Sequence, residues 1–115
     1  EIRDHKIFCD FVGKSRALFY PSRADAGGMG IWEASALGTP TLTTSQSGAR
    51  CHVIDGKTGY IADTIDDLAK NCLSIMEKTI KPEEVRAHAK EIWDLDRNFE
   101  AIFDLVVDLK NGKRW

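Results

Sequence analysis

Two carboxylates and a group of glycines lie within the segment Pro21–Pro40, and their types suit the binding of an anion that carries hydroxyl groups. Asp25 precedes Glu33 by eight positions. An ionised carboxylate accepts a hydrogen bond from a hydroxyl more strongly than a neutral acceptor does. Glycines expose backbone amides that a phosphate can approach closely. The glycines between the two acids are Gly27, Gly28 and Gly30.

Ordinary structural roles are also open for these residues. Aspartate is common in turns, and Asp25 could serve only there. A glutamate in a first helical turn complements the helix dipole, which could be the whole role of Glu33. Many turns between a strand and a helix use glycine for geometry alone. The combination of these residues, rather than any one of them, favours a binding site.

The elements around the segment decide where these side chains lie. Ala17–Tyr20 is a continuous apolar run, which is typical of a buried parallel strand. The loop Asp25–Gly30 follows, and then Ile31–Leu37 as a short helix that ends at Gly38. Ligands of open α/β sheets bind at the carboxyl ends of strands, where a helix start offers free amides and the positive end of a dipole. We therefore predict an anion site at Gly28–Ile31.

Two more strands are predicted after this segment. Pro40–Thr43 and Tyr60–Ala62 are short and rich in β-forming residues, and Gly48–Ile54 holds a helical turn or a brief strand. Strands that alternate with helices predict the α/β class with a parallel sheet. We expect a single partial domain over residues 1–115, of which 95–115 form a C-terminal helix.

Start signals predict the remaining helices. Asp4 and Thr64 are N-cap types, and Pro82 is typical of a first helical position. We expect Asp96 to cap the last helix, although Asp94-Leu95-Asp96 also matches the D-x-D pattern that binds a metal-nucleotide complex in other proteins. The apolar residues of that helix are predicted to point inward: Phe99, Ile102, Phe103, Val106 and Leu109.

Composition argues against several classes of function. The net charge is -2 with no long block of like charge, so we expect no nucleic-acid partner. Cys9, Cys51 and Cys72 are odd in number and widely spaced, which argues against a disulfide framework or a zinc site and suits a reducing cytosol. No apolar run approaches the ~20 residues of a membrane-spanning helix. We predict a cytoplasmic protein with no transmembrane segment and no metal.

A series of short motifs follows one register from Ala17 to about Leu73. The motifs are Tyr20-Pro21-Ser22, Asp25-x-x-Gly28, Glu33-Ala34, Ala36-x-Gly38-x-Pro40, Gly48-Ala49 and Asp55-Gly56-Lys57-Thr58-Gly59-Tyr60. The series resembles the retaining glycosyltransferases of group 1 (family 4). The resemblance implies the second half of the C-terminal, donor-binding domain of a GT-B enzyme. Such a piece would be a partial Rossmann-like parallel sheet of about three strands with flanking helices.

The same resemblance implies roles for the candidate residues. Glu33 takes the position of the family's second motif glutamate, which holds the ribose hydroxyls of the nucleotide. Asp25 takes the position of the first, which contacts the donor sugar, and is the candidate catalytic residue. The amides that would face the diphosphate and the sugar belong to Gly27, Gly28, Met29 and Gly30. The implied substrate is a nucleotide-diphosphate sugar, whose sugar is transferred as a hexosyl group to an unknown acceptor. The resemblance implies no metal and no other cofactor.

The chain departs from the family pattern in three places. Asp25 is one methylene shorter than glutamate, Ala26-Gly27 replaces the usual Gly-Phe, and Cys51 stands where the family often has glutamate. Members of the family have an N-terminal acceptor domain, and an arginine and a lysine lie against the diphosphate. Neither feature has a counterpart before Ala17. We therefore expect an N-terminal domain or a companion chain as a partner, and a homodimer is an open alternative. The alternative is a non-catalytic module that binds a nucleotide or phosphate or mediates assembly.

Overall fold

The computed structural model describes residues 4–77 and 80–113, which form five helices and three strands. The elements in chain order are α1 (His5–Gly13), β1 (Leu18–Tyr20), α2 (Met29–Ala36), β2 (Thr41–Thr44), a 3₁₀ turn (Gly48–His52), β3 (Gly59–Ala62), α3 (Ile65–Glu77), α4 (Pro82–Ile92) and α5 (Leu95–Lys110). The predicted strands are confirmed to within one residue at each end. Of the two forms considered for Gly48–Ile54, the structure has the helical turn.

The three strands form one parallel sheet in the order β1-β2-β3. Phe19 of β1 pairs with Leu42 of β2, which pairs in turn with Tyr60 of β3. The parallel sheet and its flanking helices confirm the predicted α/β, Rossmann-like fold class. β1 lies at one edge, where Phe19 remains 52% exposed.

The middle strand is covered on both faces. Thr41, Leu42 and Thr43 are all buried, and successive side chains of a strand point to opposite faces. The covering elements are α2, which packs on β1 and β2 and against α4, and α3, which packs on β2 and β3. The apolar core comes from these elements and includes Ile31, Ala34, Leu42, Ile75, Val85 and Ala89.

Local signals fix most helix ends where the sequence predicts them. The Asp4 carboxylate accepts the amide of Lys6 at 2.8 Å and begins α1. Thr64 and Asp67 form a reciprocal capping box at the start of α3. Gly38, at φ +83°, ends α2, and the Thr39 amide turns back to the Ala34 carbonyl at 2.8 Å.

Two predicted helix starts are wrong. α2 begins at Met29 rather than Ile31, so Glu33 lies in the second turn and cannot be a first-turn dipole partner. α5 is capped by Asp94, which accepts the amide of Arg97 at 3.0 Å, whereas Asp96 lies in the first turn. Amphipathic periodicity locates a helix but marks its first residue weakly, because glycine and acidic residues carry no apolar signal.

The predicted inward orientation of the α5 apolar residues is also wrong. Phe99 is 73% exposed, and no residue of α5 is buried among the described residues. The sequence indicates that this face is apolar, but it does not indicate which surface covers it. None of the described helices has the length and apolarity needed to cross a bilayer.

Candidate functional site

Asp25 holds the loop between β1 and α2 together. The Tyr20 hydroxyl donates a hydrogen bond to Asp25 Oδ2, and the Gly27 amide donates to Oδ1 at 2.8 Å. The hydrogen bond from Tyr20, together with that from the Gly27 amide, holds the pKa of the Asp25 carboxyl below its usual value. The main-chain oxygen of Asp25 accepts the Gly48 amide at 2.7 Å. Asp25 is therefore ionised at neutral pH and links the end of β1 to the 3₁₀ turn.

Two glycines of the loop are required by close packing. Gly27 has φ +122°, and a Cβ placed there would lie 2.7 Å from His52 Nε2. A Cβ on Gly28 would overlap the Tyr20 hydroxyl. Gly30 differs, because no atom lies within 4 Å of the Cβ it would carry. The absence of a side chain at Gly30 is thus not explained by packing within the described residues.

The amino end of α2 is accessible to solvent at Met29, which is 74% exposed, whereas Gly28 and Gly30 are half-buried. Gly28 is the N-cap residue and offers no side-chain acceptor, and the first turn contains no acid. Ile31 donates its amide to the Gly28 carbonyl at 3.0 Å. In the described part of the chain, no acceptor is found for the amides of Gly28, Met29 and Gly30. These three amides and the helix dipole are available for an anion.

The amino end of α3 lies at the same edge of the sheet and provides a comparison. Asp66 and Asp67 lie in its first turn, and Asp67 exchanges hydrogen bonds with Thr64. The positive end of the α3 dipole is therefore already complemented by acids of the chain itself. Of the two helix starts that follow β1 and β3, only that of α2 is free to accept an external anion.

Glu33 lies one turn into α2 and is half-buried. Its carboxylate accepts no hydrogen bond from the described residues, so both oxygens can accept from a ligand. No contact joins the Glu33 and Asp25 carboxylates. The structure therefore places the predicted residues Asp25, Gly27, Gly28, Met29, Gly30 and Glu33 on one loop and the first two turns of one helix.

An aromatic cluster of Trp32, His52 and Trp93 packs beside the loop that contains Gly27. The rings of Trp32 and Trp93 stack with centroids 4.9 Å apart, and His52 packs against both at 5.8 Å. Burial, with a smaller contribution from the nearby His88, lowers the pKa of the His52 imidazole. Since His52 also contacts Gly27, this cluster connects the segment Asp25–Gly30, which we call the glycine loop, to the end of α4.

Sequence reasoning missed three residues that shape the loop. Tyr20 and Gly48 belong to the motifs above without a role of their own, and His52 belongs to none of those motifs. The Tyr20 hydroxyl holds the Asp25 carboxylate through a hydrogen bond, and a Cβ on Gly48 would overlap the Asp25 carbonyl. A tyrosine that ends a strand five residues before an aspartate is a weak signal that could have suggested the first contact.

Two further observations concern ligands. A cleft of about 250 Å³ opens where the strands end and is lined by residues that include Pro21, Arg23, Thr44, Ala62 and Thr64. The predicted residues from Asp25 to Glu33 do not line this cleft. Within residues 4–77 and 80–113, no three His, Cys, Asp or Glu side chains come together as metal ligands.

Comparison with known proteins gives one match. The family model of the glycosyl transferases group 1 matches residues 7–92. The matched residues include β1, the glycine loop and α2, and the match ends at the last residue of α4. Neither the curated proteins nor the solved structures give a significant match.

Proposed function

Because the chain belongs to the glycosyl transferases of group 1, we propose that it binds the nucleotide-diphosphate sugar donor of a glycosyl transfer that retains the anomeric configuration. The observation that carries the proposal is the open amino end of α2. Three of its amides find no acceptor among the described residues, and the helix follows the carboxyl end of a parallel strand, where open α/β sheets bind their ligands. The competing helix start of α3 is already complemented by Asp66 and Asp67.

We assign the diphosphate to the amides of Gly28, Met29 and Gly30. These donors stabilise the charge that develops on the leaving diphosphate, because they are fixed by the helix before the reaction. The open space around Gly30 fits this assignment, since a ligand oxygen can approach the backbone there. No bound metal is needed to hold the anion in this arrangement.

We assign the ribose hydroxyls to Glu33, whose carboxylate oxygens are uncommitted within the described chain. The donor sugar, a hexosyl group in this proposal, is assigned to Asp25. Asp25 can still accept from a sugar hydroxyl, because an ionised carboxylate has more lone-pair sites than the two that Tyr20 and Gly27 occupy. The Asp25 side chain is one methylene shorter than glutamate, and its two hydrogen bonds hold it against the loop. In this proposal it therefore selects a donor sugar with a hydroxyl group close to the loop.

The acceptor and part of the catalytic machinery belong to another domain or chain in this proposal. The β1 edge and its half-exposed Phe19 are where additional strands would pair. The three cysteines are free thiols, which supports the proposal of a cytoplasmic location.

Nuclear magnetic resonance titration tests the donor site. The chain is titrated with uridine, guanosine or adenosine diphosphate, and separately with inorganic pyrophosphate. We expect saturable shifts at the amides of Gly28, Met29 and Gly30 with all phosphates, and tighter binding of one nucleotide. Glu33→Gln should weaken the nucleotide roughly tenfold, about 1.4 kcal/mol, and leave pyrophosphate unchanged.

The matched control is Glu83→Gln, which removes an exposed glutamate from the first turn of α4. It should leave both titrations unchanged. Shifts that fall elsewhere while these three amides stay fixed would refute the site. Equal effects of Glu33→Gln on nucleotide and pyrophosphate would refute the ribose assignment.

A second candidate function is a non-catalytic binding module. The observation that favours it is the use of both Asp25 oxygens inside the loop, which ties the candidate catalytic residue to structure. Release of sugar from a radiolabelled nucleotide sugar by this chain, alone or together with the proposed acceptor domain, distinguishes the two. Release that is lost in Asp25→Asn supports the enzyme, and binding without release in both preparations supports the module.

A further inference from the structure

One side of α5 is apolar and exposed along its whole length. Leu95, Phe99, Ile102, Val106 and Leu109 alternate at spacings of four and three residues, with Phe103 beside them. We call these six residues the α5 stripe. Their side chains are between 45% and 82% exposed. Spacings of four and three are the a and d positions of a helix that pairs with another helix.

The stripe does not face the rest of the described chain. α5 is joined to α4 by Arg97, which lies opposite the stripe and donates to the Glu91 carbonyl, and by Asn98, which borders the stripe and donates to the Ile92 carbonyl. Ala101 lies one turn further along and lines a groove beside α4. On a helix of 3.6 residues per turn, Arg97 points roughly opposite to the middle of the stripe and Ala101 about 130° away from it. A rotation that buried the stripe against α4 would break the Arg97 hydrogen bond.

The overall dimensions agree with a projecting helix. The radius of gyration is 16.4 Å, whereas a compact chain of this length has one of about 13 Å. No strand packs against α5 in the part of the chain that the structure describes. The stripe is thus presented to solvent as a continuous surface.

We propose that the α5 stripe pairs with the α5 stripe of a second copy of this chain in an antiparallel, two-fold symmetric dimer. The charges that flank the stripe select this arrangement. Asp96, Phe103 and Lys110 follow the d positions and occupy the same flank at intervals of seven residues. In an antiparallel pair this flank meets itself, so Asp96 faces Lys110 of the second copy, Lys110 faces its Asp96, and Phe103 lies near the axis.

A parallel pair does not use these charges. Its flanks would bring Lys110 beside Leu105 of the second copy, and Phe103 beside Asn98, with no opposite charges in contact. The antiparallel pair also places Phe99 opposite Leu109 and Ile102 opposite Val106 of the second copy. Self-complementarity of charge and of side-chain size therefore identifies the second copy as the occupant.

The available area is sufficient for a weak, specific dimer. The six side chains of the stripe offer on the order of 600 Å² per copy, close to the ~800 Å² per partner of a standard interface. Two aromatic residues near the centre supply the anchors that dominate such interfaces. The proposal concerns α5, which lies outside residues 7–92, and it does not depend on the proposed donor site.

Sedimentation equilibrium of the full chain at micromolar to millimolar concentrations tests the dimer. The wild type should show a monomer–dimer equilibrium. Ile102→Lys should abolish it. Asp96→Lys and Lys110→Glu should each weaken the dimer at least fivefold, because each places like charges opposite one another twice. The double variant D96K/K110E should recover the wild-type constant to within about twofold.

Glu100→Lys is the matched control, because it makes the same charge change away from the stripe, and it should leave the equilibrium unchanged. Helix content from circular dichroism establishes that each variant is folded. A second measurement uses a chain with Cys9, Cys51 and Cys72 replaced by Ser and with Phe103→Cys, which should form a disulfide dimer on mild oxidation. A wild type that is monomeric at every concentration, or single and double charge variants that behave alike, would overturn the proposal.

Discussion

Tyr20, the last residue of β1, donates its hydroxyl to the carboxylate of Asp25, whose other oxygen accepts the Gly27 amide. The strand and the glycine loop are therefore connected through one ionised side chain. The contact raises the pKa of Tyr20 and lowers that of Asp25, because the hydrogen bond favours the neutral phenol and the charged carboxylate. The amino end of α2 begins directly after this contact.

Replacing Tyr20 by Phe should raise the pKa of the Asp25 carboxyl toward its ordinary value, because the larger of the two stabilising hydrogen bonds is removed. A depressed carboxyl pKa contributes stability above the ordinary value, ~4, and that contribution disappears as the pH falls through the folded-state pKa. Wild type should therefore exceed Tyr20→Phe in stability at pH 7, and the gap should close in acid. Carbon-13 titration of Asp25 and urea unfolding at several pH values measure both effects. An unchanged Asp25 titration would contradict the prediction.

Alanine substitutions in the glycine loop should separate packing from ligand approach. Gly27→Ala meets both the +122° φ and His52, and should cost about 1–3 kcal/mol of unfolding free energy. Gly30→Ala meets no neighbour and should be neutral or stabilising by up to about 1 kcal/mol, because alanine favours the helix. In the titrations above, Gly30→Ala should nevertheless weaken diphosphate binding. Urea unfolding of the two variants provides the comparison, and equal destabilisation by both would be inconsistent with it.

The pH dependence of stability should depend on His52. Its pKa is lowered in the folded state, so the unfolded chain binds more protons as the pH falls below the ordinary histidine value of ~6.5. The contribution of neutral His52 is thus complete above that value and is lost toward the folded-state pKa. His52→Phe should show a smaller loss of stability between pH 7.5 and 5.5 than wild type. Thermal unfolding at the two pH values tests this, with His5→Gln on the exposed face of α1 as the control.

The two acids at the start of α5 should differ in effect. Asp94→Ala removes the cap that accepts the Arg97 amide and should cost the helix about 1 kcal/mol, which corresponds to roughly fivefold faster exchange of the first-turn amides. In the monomer, Asp96→Ala removes a favourable charge near the dipole and should have the smaller effect. Amide hydrogen exchange at Arg97–Glu100 measures the difference. Faster exchange of these amides in Asp96→Ala than in Asp94→Ala would show that Asp96 is the N-cap residue.

Local signals made much of the fold predictable. The Asp4 cap, the Thr64 capping box, the Pro82 start and the Gly38 end each act within a few residues, and each is found in the structure. The parallel sheet follows from short apolar strands separated by helices. Periodicity places the start of α2 two residues late, because Met29 and Gly30 precede the apolar period of the helix.

Contacts between distant residues were not predictable in the same way. The sequence predicts Asp25 as a ligand contact, but its hydrogen bond from Tyr20 and its link to Gly48 depend on how β1 and the 3₁₀ turn meet in the fold. The outward orientation of Phe99 was missed for a related reason. Periodicity shows that a helix has an apolar face, and the choice of surface that covers it is made by tertiary or quaternary packing.

The stacked indoles of Trp32 and Trp93 have an optical consequence. Two such rings 4.9 Å apart and inclined by 19° couple their electronic transitions, so the pair should add an exciton couplet to the far-ultraviolet circular dichroism. Trp32 belongs to the helix whose amino end carries the free amides, and Trp93 directly follows α4. The couplet is therefore a built-in spectroscopic reporter of whether α2 stays docked when an anion binds at its amino end.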